Sequence, residues 1–95
     1  MSDDLTNIQS LIAEECDLLK AMLLAKNTAY GNSAANPVRV FAKGIDDEAG
    51  IMVRMDDKLS RIARGSDAGE DPMLDLAGYI VLLRAIRKMK QRGLK

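Results

Sequence analysis

Residues Asp71 to Ile86 read DPMLDLAGYIVLLRAI, and the fold turns on how this stretch is read. It opens with a helix start signal: Asp71 in the N-cap position and Pro72 at the first helical position. Beyond that point it is apolar almost all the way round. At 100° per residue, Leu76, Ile80 and Leu83 form one stripe, Tyr79, Leu82 and Ile86 a second, and Leu74, Val81 and Ala85 a third. A helix apolar on every side is expected to be covered on every side. A chain this short has few other elements to cover it, so the stretch predicts the centre of a helical bundle shared between subunits. Asp75 breaks the pattern. It lies on the Tyr79, Leu82, Ile86 side, one turn after Asp71, where a carboxylate must be paired, hydrogen-bonded or metal-bound to be tolerated.

Working outward, the 95 residues predict one domain. Six Met and many Leu and Ala favour helices over strands. Leu5, Ile8, Ile12, Leu19 and Met22 recur at helical spacing and predict helix 1 from about residue 4 to 26, with Asp3 and Asp4 suiting its start. Glu15 falls on that same stripe, and Glu14 sits one step round beside Leu11 and Leu18. Residues 27–45 form the longest connection, rich in the turn formers Asn27, Gly31, Asn32, Ser33, Asn36 and Pro37. A connection of that length is often functional. Its Tyr30-Gly31-Asn32-Ser33 run can hold a ligand through amide and hydroxyl groups, or serve as an ordered loop that satisfies its own backbone.

Helix 2 is expected from about residue 47 to 64, capped by Asp46 or Asp47 and ended by Gly65. Ile51, Met55, Leu59 and Ile62 make its core stripe, flanked by Asp56 and Lys58. Arg54, Asp57 and Arg61 lie on the far face at ion-pair spacings. Helix 3 is expected from about residue 72 to 91. The fold class predicted is therefore all-α: a three-helix protomer with a long ordered loop between helices 1 and 2, assembled as an oligomeric bundle.

Charge and composition exclude several functions. The chain has no His, which rules out His-based triads and His-ligated zinc. The single Cys16 cannot form an intramolecular disulfide. Two Tyr and no Trp are too few for a typical base-stacking platform, so nucleic acid is disfavoured as a partner. The Ile80–Leu83 run is far too short to span a membrane, and the acidic MSDDLTN start lacks an apolar signal core; the expected location is the cytoplasm. Net charge is zero but unevenly placed. The first 17 residues hold Asp3, Asp4, Glu14, Glu15 and Asp17 with no base, and from Arg84 onward come Arg84, Arg87, Lys88, Lys90, Arg92 and Lys95 with no acid. The basic end complements the helix dipole and could also attract phosphates.

The unusual content is carboxylates embedded in helices: Glu14 and Glu15, Asp56 and Asp57, Asp71 and Asp75. Three or four carboxylates from separate helices can form an all-oxygen Mg²⁺ site that screens phosphate charge and activates water. Lys26, Lys58 and Arg61 could hold phosphate oxygens. Each carboxylate also has a structural reading: Asp71 as an N-cap, Asp75 as a buried ion pair to Lys58 or Arg61, Glu15 as a stripe-edge group reaching solvent.

The runs KNTAYGNSA (26–34), MDDKLSRIARG (55–65) and EDPMLDLAGYIVLL (70–83), in this order, resemble a family of small bacteriophage proteins described as a nucleotide-modification-associated domain. That family is similar to the all-α nucleoside triphosphate pyrophosphatases, the MazG and dimeric dUTPase class: helical oligomers that bind Mg²⁺ through paired acidic motifs and cleave between the α and β phosphates. The resemblance implies that Glu15, Asp71 and Asp75 hold Mg²⁺ with Asp56 as a fourth ligand, Glu15 and Asp75 being catalytic. It implies that Lys26, Lys58 and Arg61 contact phosphates, and that Asn27, Tyr30, Asn32 and Ser33 contact base or ribose. The motif spacings depart from that class. Where the class has two Glu three apart in its first motif, Glu14 is followed three residues later by Asp17 and Glu15 by Leu18; where it has Glu and Asp three apart in its second, the nearest match is Asp71 with Asp75, four apart, or Glu70 with Asp75, five apart. The alternative expectation is a non-catalytic phage anti-defence protein that sequesters a signalling nucleotide or inhibits a host protein.

Overall fold

The computed structural model describes residues 3–30, 46–66 and 69–93, leaving aside the side chains of Asp3, Asp4 and Tyr30. Within them the chain forms three helices, α1 (Asp3–Tyr30), α2 (Asp47–Arg64) and α3 (Pro72–Gln91), and no strand. The all-α expectation is met. The start of the loop expected over 27–45 is corrected: α1 continues through Asn27 and Thr28 to Tyr30. Asn27, a turn former by residue type, stays in the helix, and beside it the Thr28 hydroxyl donates to the Leu24 carbonyl one turn back (2.9 Å). The remainder of that connection, 31–45, lies outside the described residues.

The later helices are bounded by local chemistry. Gly65 adopts φ 67°, a left-handed conformation that favours glycine. Its N–H donates to Ile62 O (3.2 Å), and that of Ser66 to Arg61 O (3.0 Å), which is the Schellman pattern that ends a helix. At the start of α3, Asp71 accepts from the Leu74 N–H at 3.0 Å and Pro72 occupies the first turn.

α2 and α3 form the antiparallel pair that carries the core. Ile51, Leu83 and Ile86 are buried, with Met55, Tyr79 and Leu82 packed against them. Glu48 staples the far end of the pair, accepting from Arg87 Nε (2.9 Å) and Lys90 Nζ (2.6 Å). α1 packs on α3 and, among the described residues, not on α2. Its contact is centred on Gly78, where a Cβ would stand 3.1 Å from Leu23 Cδ2 and 3.2 Å from Met22 Cε.

Within a single chain α3 is not covered all round. Its Leu83 and Ile86 sides are buried, but Ile80 and Val81 are each 42% exposed and Met73 is 68% exposed. α1 covers the Gly78 side only, so one face of α3 stays open. The other half of α1 is barely covered at all: Ile8, Leu11 and Ile12 are 50%, 52% and 56% exposed. Each of these side chains forgoes on the order of 1 kcal/mol of burial.

Candidate functional site

The three helices bring their charges together at one end. Asp75, in the first turn of α3, faces an ammonium group on each oxygen. Lys26 of α1 lies 3.8 Å from Oδ1, and Lys58 of α2 lies 3.7 Å from Oδ2. The carboxylate that interrupts the apolar run of α3 is thus offset by two cations from two other helices. Lys58 is the hub. Its side chain is 13% exposed, and its Nζ also lies 3.4 Å from Glu70 Oε2 and 3.8 Å from Asp57 Oδ2. Arg61, one turn further along α2, donates from Nε to Asp57 Oδ2 (3.1 Å) and from NH1 to the same Glu70 oxygen (3.2 Å).

Local sequence explains the placement. Lys58 and Arg61 are three apart and share a helix edge, Asp57 and Arg61 are at i,i+4, and the turn between α2 and α3 delivers Glu70 to both cations. Beside the network lies a cleft of about 420 Å³, lined among others by Arg61, Ile62, Gly65, Glu70, Asp71 and Met73. Its volume is in the range of small-molecule pockets.

The expected site residues divide into three sets. Lys26, Lys58, Arg61 and Asp75 are gathered, and Asn27 follows Lys26 on α1. Glu15, Asp56 and Asp71 stand apart: Glu15 is exposed on α1, eleven residues and about 16 Å of helix from Lys26. Asp56 is exposed on α2, and Asp71 spends an oxygen on the α3 cap. Asn32 and Ser33 lie outside the described residues, as does the side chain of Tyr30. Among the described residues no group of three or more His, Cys, Asp or Glu is placed to hold a metal ion. The donors expected for Mg²⁺ are therefore not gathered among the described residues, and what is gathered is a network of three cations (Lys26, Lys58, Arg61) and three carboxylates (Asp57, Glu70, Asp75). Glu70, matched by sequence only as an acidic-motif partner of Asp75, instead pairs with the two cations of α2. The signal lay in its position immediately before the Asp71 cap, which fixes it in the turn facing α2. No helix of the described residues is long and apolar enough to cross a membrane. No protein family, curated protein or solved structure matches the chain.

Proposed function

We propose that the chain is a nucleotide-binding protein in which Lys26, Lys58 and Arg61 hold phosphate oxygens. The observation that carries this reading is that Glu70 places one carboxylate oxygen within 3.4 Å of Lys58 Nζ and 3.2 Å of Arg61 NH1, at the edge of an open cleft. A single anionic oxygen bridging an ammonium and a guanidinium is the arrangement a phosphate oxygen makes. Glu70, half exposed and on a turn, is the group a phosphate displaces, while Asp75 stays in place to hold the two lysines. Lys26 reaches the same carboxylate from α1 with 56% of its side chain exposed, and so is free to turn toward a ligand.

Binding without a metal is the reading favoured over Mg²⁺-dependent pyrophosphohydrolysis, because Glu15, Asp56 and Asp71 are dispersed while the cations converge. A protein that sequesters a phage- or host-derived signalling nucleotide needs the cations alone. The test is thermal unfolding against a panel of nucleoside mono-, di- and triphosphates and cyclic nucleotides, with and without Mg²⁺. A ligand present at about 100 times its dissociation constant adds ~2.7 kcal/mol to stability. A shift is expected in the absence of Mg²⁺, abolished by Lys58→Met and enlarged by Glu70→Gln, which removes the competing anion. A shift that requires Mg²⁺ transfers the case to the hydrolase, and no shift with any nucleotide overturns the reading.

A further inference from the structure

α1 carries one apolar stripe along its length, and the protomer uses only half of it. Leu19, Met22 and Leu23 meet α3 at Gly78, while Leu5, Ile8, Leu11 and Ile12 continue the same face beyond that contact, Ile8, Leu11 and Ile12 being half exposed or more. α3 presents an open face as well, with Met73, Ile80 and Val81 followed along the helix by Arg84 and Lys88. The charges beside the two faces are opposite. Glu14, Glu15 and Asp17 accompany the free half of α1, and the nearest base in sequence is Lys20; Arg84 and Lys88 accompany the open face of α3. Among the described residues none of these five forms an ion pair within the protomer. Two uncovered apolar faces with complementary charges on one chain are self-complementary, and such a surface closes on itself through a twofold axis.

We infer that the amino-terminal half of α1 docks on the open face of α3 in a second copy of this chain, reciprocally, so that each α3 is enclosed by its own α1, its own α2 and the α1 of its partner. Glu15 sits in the middle of the α1 stripe, so docking takes its carboxylate out of water, and the cations at the end of α3 in the second copy are the groups that offset it. A charge at that position sets the register of the pair and disfavours α1 packing against another α1, where Glu15 would face its own copy. The inference does not depend on nucleotide binding.

The experiment is sedimentation equilibrium of the full chain, with helicity followed by circular dichroism. Wild type is expected as a dimer or a multiple of it at micromolar concentration. Ile8→Glu with Ile12→Glu is expected to be monomeric and still helical, since both residues are half exposed or more and lie on the half of α1 away from its contact with α3. Glu15→Lys and Arg84→Glu are each expected to raise the dissociation constant roughly tenfold or more, and the two variants mixed are expected to associate with near wild-type affinity. The mixing arm stands even where the double Glu variant loses its helices. A monomeric wild type, whatever covers α1 in it, or charge variants that do not rescue one another, overturns the inference.

Discussion

Lys58 on α2 and Asp75 on α3 stand 3.7 Å apart, Nζ to Oδ2, with 13% and 21% of their side chains exposed, the most enclosed ion pair among the described residues. The pair joins the two helices of the core at the end opposite the Glu48 staple. Its enclosure makes it more than a surface contact, but both groups keep other partners, Lys26 for Asp75 and Glu70 for Lys58. Asp75→Asn is therefore expected to lower the unfolding free energy by about 1–2 kcal/mol, short of the larger loss that follows when a buried charge is left with no partner. A urea-denaturation cycle with Lys58→Met should return a coupling of about 1 kcal/mol. A coupling of zero would mean that the two groups meet without interacting.

The staple at the other end is pH-dependent from both sides. Hydrogen bonds from Lys90 and then Arg87 hold the Glu48 carboxyl below its ordinary value of 4.5, and the bond to Glu48 raises the Lys90 ammonium above 10.5. The contribution of Glu48 is thus present above pH 4.5 and lost as pH falls through its lowered value; that of Lys90 is present below pH 10.5 and lost as pH rises through its raised value. Glu48→Gln is expected to melt below wild type across the neutral range, with the gap closing in acid. Thermal midpoints of the two proteins between neutral pH and strong acid check this, and a gap that persists unchanged in acid refutes it.

Gly78 is where α1 reaches α3, and the atoms nearest an added Cβ are the terminal methyls of Leu23 and Met22. Such ends shift easily, and alanine recovers about 1 kcal/mol of helix propensity. Gly78→Ala is expected to change stability by less than about 1 kcal/mol. Gly78→Leu, which cannot be absorbed by a small shift, is expected to detach α1, read as accelerated amide exchange over residues 19–26 with α2 and α3 still protected. Equal loss of protection in all three helices would show that α1 is not a separable layer.

Asp71 distinguishes a cap from a ligand. Its side chain accepts from the Leu74 N–H. Asp71→Ala is expected to cost about 1 kcal/mol, and Asp71→Ser, which keeps an acceptor, almost nothing. Nucleotide-induced stabilisation should be the same in both variants once baseline stability is subtracted. A loss of the ligand response in Asp71→Ser would return this carboxylate to the site.

The sequence by itself determined the helices and most of their ends. The 3.6-residue periodicity and the chemistry at Asp71, Pro72 and Gly65 act over one turn and need no partner, so α2 ends and α3 starts where local signals put them, while Asp46 precedes α2 without a side-chain cap bond. It also marked Asp75 as a group that must be compensated, because an apolar helix cannot leave a carboxylate without a partner. Which partners it takes was a tertiary decision. Lys26 and Lys58 lie 49 and 17 residues away, and nothing local selects them over Arg61. The pairing of Glu48 with Arg87 and Lys90, the approach of α1 at Gly78, and the separation of Glu15 from the cations all follow from how three rods cross. Side-chain period states which face of a rod is apolar. It does not state where along its length that face meets another helix, and α1, covered at its end and bare at its beginning, shows the difference.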